Sequence, residues 1–327
     1  MRQIPFSGIF SVVPTPFNYD ESLDLEGVER LVDFYLGKGV HGLTILGVLG
    51  EADKLLPDER VLVIEAFLHA VDNRVPVIIG SSHAGTRPAV ALATQAEGLG
   101  AAGILVAPPS AKSNPRLTLK DHLHAIEEST SIPIVLQDYP AHSGVQLSPE
   151  LLVEMADHVE RLQAVKIEDP PTPAKIYKLR QLAGDRLKLL GGYGGMFFFE
   201  ELEQGASGTM TGFAFPEALL SVFTEYNQGN KEGAAMLFYR VLPLLRFEFQ
   251  HAIGLALRKE ILRRRGALRS ASLRAPAELL DEASAGELTR LLARLGLDKE
   301  EYFHGSGNRG PSGPGGRLGA RSWPSGG

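Results

Sequence analysis

Short, mostly apolar runs alternate with longer amphipathic segments along the first 226 residues of the chain. The runs carry apolar side chains on both faces, which is typical of parallel strands that helices cover. The segments between them place apolar residues at helical spacing. The predicted strands are residues 9–13, 42–46, 75–79, 103–107, 133–137, 162–166, 187–190 and 208–212, and the helices that follow them are residues 24–36, 57–70, 88–99, 117–129, 148–158, 172–183, 196–204 and 216–226.

Eight strand–helix units in this order predict one architecture above others, because they close most simply into a (β/α)8 TIM barrel. A doubly wound open sheet is the alternative, although no Gly-rich dinucleotide fingerprint follows the first strand. We therefore predict an α/β protein in which residues 1–226 form the barrel.

The pattern changes after the barrel, where only helices are predicted. Helices at residues 230–249, 252–265 and 276–297 would form a C-terminal three-helix extension over residues 227–298. Residues 299–327 consist largely of Gly, Pro, Ser and Arg and hold too few apolar residues to build a core. We expect this last segment to be a disordered tail.

Composition excludes several classes of protein. With 327 residues, a net charge of −6 and 44% hydrophobic residues, the chain is expected to be a globular enzyme that has neither nucleic acid nor a membrane as a partner. No run approaches the ~18 apolar residues that span a bilayer, and the N-terminus lacks a secretion signal, so a cytoplasmic location is the default expectation. The absence of cysteine rules out disulfides, zinc–thiolate sites and thiol nucleophiles. No carboxylate–histidine cluster has metal-site spacing, so neither a metal nor another cofactor is expected.

Lys166 is the one lysine predicted to end a barrel strand. Enzymes with this fold build their active sites at the C-terminal ends of the strands, so the lysine lies where chemistry is expected. Burial there disfavours the ammonium form, and a neutral amine can attack a ketone to form a Schiff base. The alternative is a structural lysine paired with Glu168 or Asp169.

Several short motifs occur in a characteristic order along the chain. They are Gly8…Thr15-Pro-Phe17, Gly47-x-x-Gly-Glu51 followed by Asp58-Glu-Arg60, Pro133-Ile-x-Leu136, Pro140-x-x-x-Gly144, the strand ending in Lys166, and Gly254-Leu-Ala-Leu-Arg-Lys259. In this order the chain resembles the dihydrodipicolinate synthase / N-acetylneuraminate lyase family of class I aldolases and dehydratases. The resemblance implies a Schiff base between Lys166 and pyruvate or another 2-oxo acid, no cofactor, and a homotetramer or homodimer.

The turn after the second strand departs from the synthase members of this family. Val48 and Leu49 stand where those members have two threonines, one in a hydroxyl proton relay and one that helps hold the 2-oxo acid carboxylate. Both hydroxyls are missing here. The backbone N–H groups of the turn that begins at Gly47 can still bind a carboxylate.

The fifth strand departs as well. Gln137 stands where the family places a catalytic tyrosine, and Tyr139 follows two residues later, on the same face if the strand persists. His142 stands where synthase members have an arginine, and the tyrosine that they borrow from a neighbouring subunit is replaced near Ser110. These departures argue against the classical synthase reaction.

Gln137-Asp138 together with Lys166-Ile-Glu168 resembles the branch that dehydrates 2-keto-3-deoxy sugar acids such as L-2-keto-3-deoxyarabonate. In that interpretation Lys166 forms the imine, and Glu168, on the same strand face, moves the protons. Tyr139 is the alternative acid and base. Either residue could instead be structural, Glu168 as an ion-pair partner and Tyr139 as a packing aromatic. The residues expected to bind the substrate are Gly47, Val48, Leu49, Gln137, His142, Gly192 and Met210.

Two other functions remain open at this stage. One is a pyruvate aldolase of the 4-hydroxy-tetrahydrodipicolinate synthase type. The other is a catalytically silent member that binds a 2-oxo acid, which the lost hydroxyls favour and the retained Lys166 opposes.

Overall fold

The computed structural model describes residues 4–109 and 115–298, and it confirms the predicted (β/α)8 barrel. Eight parallel strands pair in sequence order, and the last pairs with the first to close the sheet. The predicted tail and Ser110 lie outside the described residues. The strands are β1 (Gly8–Val12), β2 (Gly42–Ile45), β3 (Val77–Gly80), β4 (Gly103–Val106), β5 (Ile134–Asp138), β6 (Leu162–Ile167), β7 (Lys188–Gly191) and β8 (Gly208–Thr211).

The described helices cover the outside of the barrel and continue beyond it. They are α1 (Leu25–Gly37), α2 (Pro57–Val71), α3 (Thr86–Leu99), α4 (Pro115–Ser129), α5 (Pro140–Ser143), α6 (Pro149–His158), α7 (Thr172–Ala183), α8 (Phe198–Glu203), α9 (Pro216–Asn227), α10 (Lys231–Glu248), α11 (Gly254–Arg264) and α12 (Glu282–Leu295). None of them is long and apolar enough to cross a bilayer. The short α5 was not predicted, and α12 begins six residues later than predicted, because the side chain of Asp281 caps its first turn.

The core has two layers, because alternate residues of each strand point inward and outward. Leu189 of β7 packs against the surrounding helices, whereas its neighbour Leu190 lies in the barrel interior. Phe10, Ile78 and Val135 fill that interior from three other strands. The interior of the barrel is therefore a packed core.

Two buried cations connect the C-terminal helices to the barrel. Lys259 of α11 donates to Glu51, in the turn after β2, with a distance of 2.6 Å between Nζ and Oε1. Arg265, directly after α11, lies between the rings of Phe34 and Phe215 and pairs with Glu217. Removal of one partner from such a pair leaves an uncompensated buried charge. The C-terminal region is thus held against the barrel by specific contacts.

His122 of α4 is fully buried and gives the fold a pH dependence that can be measured. Burial, together with the charge of His83, lowers the pKa of His122 to about 4 from 6.5. Between these values the unfolded chain binds a proton that the folded chain does not, so stability falls as the pH drops below 6.5. We expect up to about 3 kcal/mol of this loss by pH 4. Denaturant unfolding of wild type and His122→Gln across this range should show the difference, and parallel curves would contradict it.

Candidate active site

A cavity of about 450 Å³ opens at the C-terminal ends of the strands. Lys166 lies in its wall and is only 5% exposed. The segment between α10 and α11 closes one side of the cavity, so the C-terminal region contributes to the site. Of the residues predicted to form the site, Gly47, Val48, Leu49, Gln137, Tyr139, Lys166, Glu168 and Gly192 line this cavity.

Lys166, Glu168 and Gln137 form a connected group in the cavity wall. The Lys166 Nζ lies 2.9 Å from Glu168 Oε2, and Gln137 Nε2 donates to the same oxygen over 2.7 Å. Gln137 and Lys166 are paired in register across β5 and β6, which places their side chains on one face of the sheet. Both Lys166 and Glu168 are almost fully buried. A carboxylate therefore lies within proton-transfer distance of the amine, and both groups are largely shielded from solvent by the cavity wall.

A second ion cluster lies just behind this group and was not predicted. Lys175 of α7 pairs with Asp138 over 2.7 Å and with Asp169 over 2.8 Å. Burial raises the pKa of Asp138 to about 6 although Lys175 opposes the shift. The cluster ties the end of β5 to the segment after β6. Because Asp169 is occupied by Lys175, Glu168 is the carboxylate left for Lys166.

Gly191 and Gly192 leave the space that the buried side chains around them need. A Cβ on Gly191 would overlap the carboxyl of Glu201, which is fully buried and accepts a hydrogen bond from Thr172. Burial raises the pKa of Glu201 to about 7. A Cβ on Gly192 would lie 2.5 Å from Glu168 Cγ and 2.9 Å from Lys166 Cε. The glycines after β7 thus make room for the site.

Gly192→Ala is expected to displace Lys166 and Glu168 and to reduce turnover and imine formation by roughly a hundredfold, since a shift of about 1 Å costs that much. Borohydride trapping with pyruvate at matched protein concentration measures the effect. Gly98→Ala is the matched control, because a Cβ on Gly98 meets nothing within 4 Å. Equal trapping by Gly192→Ala and wild type would show that the space at this glycine is not needed.

The turn after β2 is held in an unusual backbone conformation. Leu46 and Glu51 have φ angles of 55° and 52°, which non-glycine residues rarely adopt. Glu51 is fixed by Lys259 and by the N–H of Arg274. The turn forms a short 3₁₀ helix over Val48–Gly50, and within the described chain the N–H groups of its first two residues donate no hydrogen bond. Two backbone donors at this cavity wall are therefore available to a ligand.

Tyr139 lies one residue beyond β5, where it is the N-cap residue of α5, and its side chain lines the cavity. Burial and the nearby charge of Glu168 raise the pKa of its hydroxyl, so the phenol stays protonated at neutral pH. Its ring is stacked on His142, with ring centroids 6.0 Å apart. His142 itself lines a neighbouring cavity rather than the one around Lys166.

Met210, which the sequence analysis expected to bind the substrate, is not among the described residues that line this cavity. It points into the barrel interior, is fully buried and belongs to the same interior cluster as Leu190. Thr211 and Gly212 line the cavity instead. Arg258 of α11 also lines the cavity, and sequence reasoning did not assign it to the site. Its position inside the motif that ends at Lys259 was the one available signal. In the part of the chain that the structure describes, no group of three histidine, aspartate or glutamate side chains could hold a metal ion.

Comparison with known proteins agrees with this architecture. Residues 5–295 match the sequence profile of the Dihydrodipicolinate synthetase family. The L-2-keto-3-deoxyarabonate dehydratase of Azospirillum brasilense is 33% identical over 294 residues, which are 88% of this chain and 94% of the relative. The 4-hydroxy-tetrahydrodipicolinate synthase of Methanosphaerula palustris is 31% identical over 292 residues, or 88% of this chain and 99% of the relative.

A solved structure is similar over the same region. The crystal structure of dihydrodipicolinate synthase from Rhodopseudomonas palustris superposes with a TM-score of 0.85 at 35% identity, covering 90% of this chain and 99% of that protein. The matched region takes in both the barrel and the C-terminal helices. The chain therefore belongs to the dihydrodipicolinate synthetase family, a family of lyases that includes aldolases and dehydratases.

Proposed function

We propose that this protein is a Schiff-base lyase that dehydrates a 2-keto-3-deoxy sugar acid, such as L-2-keto-3-deoxyarabonate, through an imine on Lys166. The observation that carries the proposal is the contact among Lys166, Glu168 and Gln137. The buried amine of Lys166 contacts one carboxylate, that of Glu168. The Gln137 amide holds this carboxylate, at the position where synthase-type relatives have a tyrosine. A 2-oxo acid is the partner that suits such an amine.

The first half of the reaction forms the imine. Glu168 takes a proton from the Lys166 ammonium, and the neutral amine attacks the C2 carbonyl carbon of the substrate. Glu168 returns this proton to the hydroxyl of the resulting carbinolamine, which leaves as water and gives the protonated imine, so that Glu168 is a carboxylate again. The positive charge on nitrogen makes the C3 protons acidic.

The second half removes the C4 hydroxyl. Glu168 accepts one C3 proton, and the electron pair of that C–H bond moves to form an enamine. The enamine pair then expels the C4 hydroxyl, which leaves as water after it receives a proton from Glu168 or from the Tyr139 phenol. Hydrolysis of the conjugated imine frees Lys166 and the dehydrated 2-oxo acid.

The other predicted site residues take supporting roles in this proposal. The free N–H groups of Val48 and Leu49 would hold the carboxylate next to the ketone, and Gly47 would let the ligand approach the turn. Gln137 fixes the orientation of Glu168. Gly192 keeps space for Lys166, and His142 would act through the stacked ring of Tyr139. We assign Met210 no contact with the substrate.

Turnover of a panel of 2-oxo acids tests the proposal. We expect loss of 2-keto-3-deoxypentonate or 2-keto-3-deoxyhexonate with formation of a dehydrated product, and little aldol product from pyruvate with added aldehydes. If the only products are those of aldol chemistry, they would favour a pyruvate aldolase and contradict the proposed dehydratase activity. Imine formation without turnover of any member of the panel would favour the silent 2-oxo acid binder.

The resemblance to the family also leads us to propose a homotetramer or homodimer. Multi-angle light scattering of the purified protein, over a range of concentrations, measures the mass directly. A monomer at all concentrations would contradict this part of the proposal.

A further inference from the structure

Arg258 brings a guanidinium group to the wall of the catalytic cavity. The residue is 6% exposed and lines the cavity together with Lys166. Among the described residues that line this cavity it is the one arginine. Leu49 and Phe249 contribute apolar surface to the same wall. A charge in such surroundings is costly unless an opposite charge comes close to it.

The protein's own partner for this charge offsets it only in part. Glu248 Oε2 lies 3.4 Å from Arg258 Nε, and the same oxygen accepts a hydrogen bond from the N–H of Ala214. Arg258 Nε makes no hydrogen bond of acceptable geometry to any described residue. Burial raises the pKa of Glu248 to about 7 although Arg258 opposes the shift, so this carboxyl is a weaker partner for the guanidinium than an ordinary glutamate. By contrast, the Lys166 ammonium has a carboxylate at 2.9 Å.

The side chain of Arg258 passes next to the turn after β2. Gly212, at the end of β8, lies between the two: a Cβ there would overlap Leu49 Cδ1 and would lie 3.7 Å from Arg258 Cδ. This turn offers free N–H groups but, with Val48 and Leu49 at its start, no hydroxyl for an anion. Arg258 therefore brings a partly compensated positive charge to the side of the cavity where Leu49 and the turn after β2 lie.

We propose that Arg258 is a substrate-binding residue whose guanidinium binds the C1 carboxylate of the 2-oxo acid at the turn after β2. The inference rests on the proposed function and adds the group that recognises the charge of the ligand. A guanidinium donates charge-assisted hydrogen bonds to a carboxylate, and the two charges offset each other in the buried site. The protein then selects 2-oxo acids over their neutral amides.

Borohydride trapping with pyruvate and with pyruvamide tests this selection. Wild type is expected to trap pyruvate at lower concentrations than pyruvamide, and Arg258→Met is expected to lose roughly tenfold to a hundredfold of that preference. The ratio of the two ligands in one protein cancels any general loss of folded protein or of amine reactivity. Glu248→Gln is the matched control and should keep the preference, because the guanidinium remains.

Arg258→Met leaves the buried Glu248 carboxyl without its cation, which can prevent folding. If the single variant does not fold, the double variant Arg258→Met/Glu248→Gln is measured in its place. An unchanged ratio of pyruvate to pyruvamide trapping in Arg258→Met, or in the double variant, overturns this inference and leaves the proposed function standing. Trapping of 2-oxoglutarate is measured in the same variants. If Arg258→Met weakens trapping of 2-oxoglutarate but not of pyruvate, the inference is also overturned, because the guanidinium would then bind the carboxylate at the far end of the ligand. Absence of any wild-type adduct overturns the proposed function and this inference with it.

Discussion

Replacement of Lys166 by methionine is expected to reduce turnover of the 2-keto-3-deoxy acid by a factor on the order of a thousand or more. The reason is that no other amine lies at the end of a barrel strand in the described cavity, so the imine cannot form. Methionine fills a similar volume in the buried wall, and Gln137 continues to donate to Glu168. Initial rates under saturating substrate measure the loss.

The surface pair formed by Lys178 and Glu150 supplies matched controls for both catalytic residues. Lys178→Met makes the same chemical change on the exposed side of α7 and should leave turnover at the wild-type rate. Thermal unfolding of each variant shows whether the fold is retained. Full turnover by a folded Lys166→Met protein would contradict Schiff-base catalysis.

Glu168→Gln is expected to separate imine formation from proton transfer. The amide can still bond to Gln137 or Lys166 but cannot accept a proton, so C3 deprotonation should slow by roughly a hundredfold to ten-thousandfold. Exchange of the pyruvate methyl protons in D₂O, followed by NMR, reports this step without knowledge of the natural substrate. The pyruvate imine should still be trapped in the same variant, although it forms more slowly, because solvent can replace Glu168 in taking the proton of the Lys166 ammonium.

Glu150→Gln is the matched change for this measurement and should exchange protons at the wild-type rate. If Glu168→Gln also exchanged at that rate, Glu168 would be a structural ion-pair partner only. Tyr139 would then be the remaining candidate for the base, and Tyr139→Phe would be the next variant to measure.

The fold could be predicted because its signal is local and repeats eight times. Each strand is a short apolar run, and each helix shows its own spacing, so most errors lie at the ends of elements. The start of α12 was placed too early because the segment before it also contains apolar residues, and only the cap at Asp281 marks the boundary. The short α5 is too brief to show a period.

The sequence predicted only those features of the site that depend on residues close to one another in the chain. The two-residue period of a strand correctly placed Lys166 and Glu168 on one face. The contact of Gln137 with Glu168 depends on the register between β5 and β6, which the sequence does not show. Arg258 could not be assigned because a helical arginine followed by further basic residues has the pattern of a solvated face, and only the packing of α11 brings it to the cavity.

The most direct test of the central claim is to locate the imine on the wild-type protein. The protein is incubated with pyruvate, reduced with borohydride and digested with trypsin, which does not cleave after a modified lysine. We predict a reduced pyruvate adduct on the uncleaved peptide of residues 162–175, with the modification on Lys166. An adduct on any other lysine, or none under conditions in which a known Schiff-base aldolase is trapped, would contradict the account.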